Sequence, residues 1–91
     1  MKIKIRKLVD GDIILEEVEA TKVQGFKDCA LVHIEKRWIV YDIPTGLLIV
    51  YGFTRKQCLE KLVDNRHAMI KARDTDLYQR RIKEFEALQK L

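Results

Sequence analysis

The chain has 91 residues, of which 47% are hydrophobic and 35% charged, enough apolar side chain for one small core and too much for wholesale disorder. No apolar run reaches the roughly 18 residues of a membrane-spanning helix. The alternating start Met1-Lys2-Ile3-Lys4-Ile5-Arg6 is unlike the unbroken apolar block of a secretory leader, so a membrane protein, a collagen-like chain and a disulfide scaffold are excluded and a cytoplasmic location is expected. The formal net charge of +4 lies wholly in the C-terminal part: residues 1–53 carry 8 basic and 8 acidic side chains, residues 54–91 carry 10 and 6.

From Lys2 to Val9, Ile3 and Ile5 alternate with cationic residues, the period of a half-buried strand. Asp10-Gly11 is a hairpin-turn signal, because both residues tolerate positive φ. Asp12 to about Val23 reads in part as a strand, but the run Ile13-Ile14-Leu15 breaks the alternation, so a bulge and a short helix both stay open. Gln24-Gly25 is a second turn. Lys27 to Glu35 alternates again, with Cys29, Leu31 and His33 on one face and Ala30, Val32 and Ile34 on the other. Trp38 to Ile43 is β-branched and aromatic, the strongest strand signal in the chain. Pro44-Thr45-Gly46 is a turn. Leu47 to Tyr51, apolar throughout, is expected to be a central strand covered on both faces.

At Phe53 the period changes. Thr54 followed by Gln57 predicts a capping box, and Phe53 is placed to staple onto Cys58. Cys58, Leu59, Leu62 and Val63 then form a helical stripe, and the helix is expected to run to Ala72 or Arg73. Asp74-Thr75-Asp76 caps a second helix on which Tyr78, Ile82, Phe85 and Leu88 recur at steps of four and three. That helix is left three roles: docking on the domain, pairing with a second copy to make a homodimer, or continuing the first helix after a kink. The expected architecture is α+β: one domain over residues 1–91, with an antiparallel β-meander of about four or five strands in 1–53, then a packed helix and a C-terminal amphipathic helix in 54–91.

Catalytic constellations are missing. The chain has no Ser. Cys29 and His33 share a strand face but stand roughly 13 Å apart at about 3.3 Å per residue. The paired acids are accounted for by turns, caps or a solvated strand face, and the single glycines do not form a phosphate-cradling loop. Cys29 and Cys58 sit among apolar neighbours and are expected to be buried free thiols. No metal-ligand spacing is present, and neither metal nor cofactor is expected. The expectation is therefore a binding module and not an enzyme.

Two surfaces are candidates for binding. One is basic: Arg55, Lys56, Arg66, Lys71 and Arg73 on the first helix, with Arg80 and Arg81 on the second, suited to nucleic acid or a nucleoprotein complex. Arg66, Lys71 and Arg73 lie outside the apolar stripe, so their removal is expected to spare the fold. The other is apolar and aromatic: Trp38, Tyr41 and Tyr51 on the strands, with Tyr78, Ile82 and Phe85 on the last helix, suited to a protein partner or a second copy. On their own, strand aromatics also read as core, and the basic residues as a solvated face.

The stretch Trp38 … Tyr51-Gly52-Phe53-Thr54-Arg55-Lys56-Gln57-Cys58 resembles the AP2-like, three-stranded-sheet-plus-helix arm-binding domains of phage and transposon integrases. There a Trp-bearing strand and hairpin lead into a Gly-Phe opening of the helix that carries a Ser/Thr and a Lys/Arg, as Gly52-Phe53-Thr54-Arg55-Lys56 does here. The likeness covers residues 37–66, about a third of the chain, and implies a DNA-contacting module. In that family basic residues on the sheet read the major groove; here the corresponding strands, Ile39 to Ile43 and Leu47 to Tyr51, are apolar. More generally, the chain is similar in style to small phage and mobile-element proteins such as anti-CRISPR proteins, which implies an inhibitor as the alternative function.

Overall fold

The computed structural model describes residues 1–91. Six strands precede three helices: β1 (Lys2–Val9), β2 (Asp12–Glu19), β3 (Thr21–Lys22), β4 (Cys29–Ile34), β5 (Arg37–Asp42), β6 (Leu48–Gly52), α1 (Arg55–Asp64), α2 (Arg66–Arg73) and α3 (Asp76–Gln89). This is the expected α+β order, but the strands divide into two antiparallel sheets: a β1-β2 hairpin and a four-stranded meander in the order β3-β4-β5-β6. No helix is long and apolar enough to cross a membrane.

The division follows from the two apolar faces of the meander. On one face, Ala30, Val32, Ile39 and Tyr41 are buried in a cluster with Ile3, Ile5 and Ala20. On the other, Cys29, Leu31, Val40 and Val50 are buried with Phe26 and with Cys58 and Leu62 of α1. A sheet apolar on both sides needs a cover on each, and here the hairpin is one cover and α1, with Met69 of α2, the other. The amino terminus is held at the junction, where Met1 and Ala20 exchange backbone hydrogen bonds of 3.1 and 2.8 Å.

The open question over residues 12–23 is answered by strand: β2 pairs with β1 from Lys2↔Glu19 to Val9↔Asp12, around a turn with positive φ at Asp10 and Gly11. The Ile13-Ile14-Leu15 run lacks alternation because it lies toward the hairpin tip, where Ile13, Ile14, Leu8 and Val9 remain exposed. The apolar run Leu47 to Tyr51 is not a central strand. Its strand, β6, is an edge of the meander, with Leu47, Leu48 and Tyr51 exposed.

Helix α1 starts where its cap signal stands. The Thr54 hydroxyl accepts from Gln57 N–H at 3.0 Å, and Gln57 Oε1 accepts from Phe53 N–H at 2.8 Å. The reciprocal bond thus falls one residue ahead of the usual capping-box donor. The expected staple does not form: Cys58 is buried, while Phe53 points outward. Gly52 explains the tight entry, since a Cβ there would lie 2.8 Å from Cys58 N. Thr54→Ala should cost about 0.5–2 kcal/mol, read as a lowered midpoint in urea unfolding.

The expected long helix is broken at Asn65. Its side chain donates to Lys61 O at 2.7 Å, and its backbone N–H reaches Lys61 O and Leu62 O. An Asn side chain that binds its own backbone competes with helix continuation, so α2 starts afresh at Arg66. Helix α3 is capped by Thr75, whose hydroxyl accepts from Tyr78 N–H at 3.2 Å. Helix α3 docks on the chain itself: Phe85 is buried, and Tyr78, Ile82 and Leu88 are half-buried. Gly46, at φ +69°, admits this docking, because a Cβ there would stand 2.5 Å from Phe85 Cε1. Arg6 fastens the same corner. Its guanidinium donates to Thr45 O and Arg81 O, each at 2.7 Å, pairs with Glu84 at 3.4 Å and lies over the Phe85 ring.

Candidate functional site

The polar centre of the molecule is Asp42, the last residue of β5. Its buried carboxylate accepts from Arg73 Nε at 3.1 Å and Arg73 Nη2, from the Tyr78 hydroxyl at 3.0 and 3.1 Å, and from the Thr45 hydroxyl at 2.7 Å and N–H at 3.2 Å. Arg73 also donates to Lys27 O at 2.6 Å and Asp28 O at 3.3 Å. A carboxylate beside the Pro44-Thr45-Gly46 turn thereby ties α2 and α3 to the sheet and to the β3–β4 loop. Burial works against the charge of Arg73, but the hydrogen bonds and negative charge of Asp42 outweigh it and raise its pKa. Burial, then the adjacent Asp42 charge and hydrogen bond, push the Tyr78 hydroxyl up to about 12. With its acceptor positions filled, Asp42 is arranged as a structural anchor.

This geometry changes the reading of the basic helix. Arg73 does not lie on a free face; it is turned inward into the Asp42 pair, because the last residue of α2 meets the last residue of β5. Its removal is therefore expected to damage the fold. Arg66 is exposed but lies over the Phe26 ring, 4.2 Å from its centroid, and donates to Gly25 O at 3.2 Å. Lys71 and Arg80 are exposed and have no acidic partner, whereas Arg81 pairs with Glu84 at 2.6 Å. Lys56 is exposed within 3.9 Å of Glu60, and Arg55 is exposed and unpaired. Of the seven candidate cations, Arg73 is thus engaged inside the fold and Arg66 and Arg81 in contacts on its surface, while Arg55, Lys56, Lys71 and Arg80 stay in the open.

The aromatic candidates separate as well. Tyr41 is not available to a partner: it is buried between the meander and the hairpin, and burial raises its pKa, helped by the charge of Glu16. Tyr78, Ile82 and Phe85 face the chain's own core. Trp38 is half-buried and stacks on exposed His33, with ring centroids 3.9 Å apart and planes within 6°. Tyr51 is different. It is 45% exposed, on the outer strand β6, and meets the 66% exposed Phe53 edge-on at 6.5 Å. Arg37 and Lys61 stand over the Tyr51 ring, 5.8 and 5.3 Å from its centroid, and Lys61 Nζ also donates to Tyr51 O at 3.1 Å.

One end of the meander therefore gathers exposed rings and cations. The segments 35–37 and 51–61 that build it hold five cations (Lys36, Arg37, Arg55, Lys56 and Lys61) against two acids, Glu35 and Glu60. Arg37, Arg55 and Lys61 are free of acidic partners. Phe53, Arg37 and Lys61 were not among the sequence candidates. Phe53 reads as a staple, and nothing in the local pattern singles out Arg37 or Lys61. Their convergence depends on β6 being an edge, with α1 returning along it.

Both cysteines are buried and free. Burial raises both thiol pKa values, against the lowering effects of Arg73 at Cys29 and Lys61 at Cys58, so neither is held as a reactive thiolate. No three His, Cys, Asp or Glu side chains are grouped so as to hold a metal ion. Compared with protein-family models, with curated proteins and with solved structures, the chain gives no match.

Proposed function

We propose that this protein is a small non-catalytic binding module that contacts nucleic acid, alone or within a nucleoprotein complex, through the end of the meander where β6 enters α1. The observation that carries the reading is the exposed Tyr51–Phe53 pair with the unpaired cations Arg37 and Lys61 over the Tyr51 ring, and the exposed, unpaired Arg55 two residues beyond Phe53 in the chain. Exposed rings among uncompensated positive charges suit a polyanion that carries aromatic bases. The cations used internally, Arg6 and Arg73, are not part of this surface.

The test is fluorescence anisotropy with labelled oligonucleotides over a salt series. Binding should weaken steeply with salt, with a log–log slope near −0.7 to −0.9 per phosphate contact. Changing Arg37, Arg55 and Lys61 together to Gln should flatten that slope by about two to three units. Absence of binding even at low salt overturns the reading.

A second reading has its own support. Leu8, Val9, Ile13 and Ile14 leave an apolar hairpin tip exposed, Leu8 to 71%. Such a patch favours a protein partner, as an inhibitor or assembly factor would have. Binding to a captured protein that is insensitive to salt and nuclease and is lost on Leu8→Asp would favour this alternative.

A further inference from the structure

Resting on the nucleic-acid reading, we infer that the surface takes single-stranded nucleic acid: an unpaired base stacks on Phe53, and the phosphates on either side meet Arg37, Arg55 and Lys61. A phenyl ring 66% exposed at a helix entrance leaves most of its apolar area in water, although the core has a small residue, Cys58, at the stapling position. Gly52 brings the strand so close to the backbone of Cys58 that the next side chain is directed outward. Tyr51 then supports Phe53 edge-on, with the ring planes 85° apart, which limits the directions the ring can take.

Tyr51 itself already lies under two cations. Arg37 and Lys61 are held over its ring, and Lys61 is further tied to the Tyr51 carbonyl. Their positive groups are thus placed beside Phe53 without a carboxylate to neutralise them. The combination of a free ring and adjacent prepositioned cations matches the repeat of a single strand, a base plane next to a phosphate. In a duplex the base faces are covered by their neighbours, so an outward Phe53 gains little there, and the three cations alone make a small phosphate footprint.

The decisive measurement compares the full-length protein with oligothymidine, oligouridine and a duplex, each about ten nucleotides long, by anisotropy at fixed low salt. Single strands should bind more tightly than the duplex, and the two single-strand arms show whether DNA or RNA is preferred. Phe53→Ala should weaken single-strand binding by about 5- to 100-fold while leaving the thermal midpoint and the salt slope unchanged. Phe53→Trp should retain binding, and its indole emission should be quenched by the oligonucleotide. If the duplex binds as tightly as the single strands, or Phe53→Ala leaves their affinity unchanged, the single-strand inference fails while the nucleic-acid reading stands. If no oligonucleotide binds, the nucleic-acid reading itself fails.

Discussion

Asp42→Ala should be the most damaging polar substitution in the chain, lowering stability by about 3–5 kcal/mol, the usual cost of removing one partner from a buried ion pair. The change leaves the Arg73 guanidinium largely buried, with only the carbonyls of Lys27 and Asp28 and the weak Cys29 sulfur as acceptors. It also strips the Tyr78 hydroxyl of its acceptor and removes the carboxylate that holds Thr45 within the β5–β6 turn. Urea unfolding checks the magnitude. A double change, Asp42→Leu with Arg73→Met, should cost less than the sum of the single changes, because no unpaired charge remains. A near-neutral Asp42→Ala would remove this network from the account of stability.

The same network has a pH signature. The Tyr78 hydroxyl titrates near 10 in the unfolded chain and is pushed up to about 12 in the folded one. Below pH 10 it is protonated in both states, so its contribution is fully present. Between pH 10 and 12 the unfolded state releases the proton and the folded state holds it, so the contribution is lost as the pH rises. Tyr78→Phe should therefore be less stable than the parent at neutral pH and should lose less stability across that alkaline window. Unfolding midpoints at stepped pH decide this.

Leu62→Ala is the second large expected effect. Leu62 is fully buried in α1, in one cluster with Phe26, Leu31, Val40, Val50 and Cys58. Truncation loses the transfer energy of the removed carbons and leaves a cavity that a tightly packed sheet–helix contact fills only partly, about 2–5 kcal/mol. A domain of this size loses about 4–8 °C of melting temperature per kcal/mol, so a fall of roughly 8–40 °C is expected in a calorimetric scan. The neighbouring Val63 belongs to the same predicted stripe yet is 58% exposed; Val63→Ala should change the melting temperature by little.

That contrast between Leu62 and Val63 shows how far local pattern reaches. Strand and helix periods, the Asp10-Gly11 turn, the Thr54 and Thr75 caps and the two-faced alternation of Cys29 to Ile34 are properties of a residue and its near neighbours, so they are legible in the sequence. The capping bond at Thr54 and the split of β4 between two clusters follow from that local chemistry. Leu47 to Tyr51 marks the limit. An apolar run states that a strand is apolar, not whether a further strand will pair with it, and β6 is an edge because the chain then turns into α1, which packs on the face of the meander, and no further strand follows.

The candidate surface depends on tertiary placement in the same way. Sequence alone determined the α+β order, the buried free cysteines and a surplus of cations in the second part of the chain. It could not separate Arg73 from Arg55, since both are arginines on helical segments rich in basic residues. Only the meeting of the ends of α2 and β5 brings Arg73 to Asp42, and only the position of β6 at the sheet edge places Tyr51, Phe53, Arg37 and Lys61 together in the open. Arg6 and Glu84, 78 positions apart, meet for the same reason. The physical cause is common to all of these: a charge or a ring is assigned to core or surface by what long-range packing leaves within a few ångströms of it, and the period of the local sequence carries no information about that neighbour.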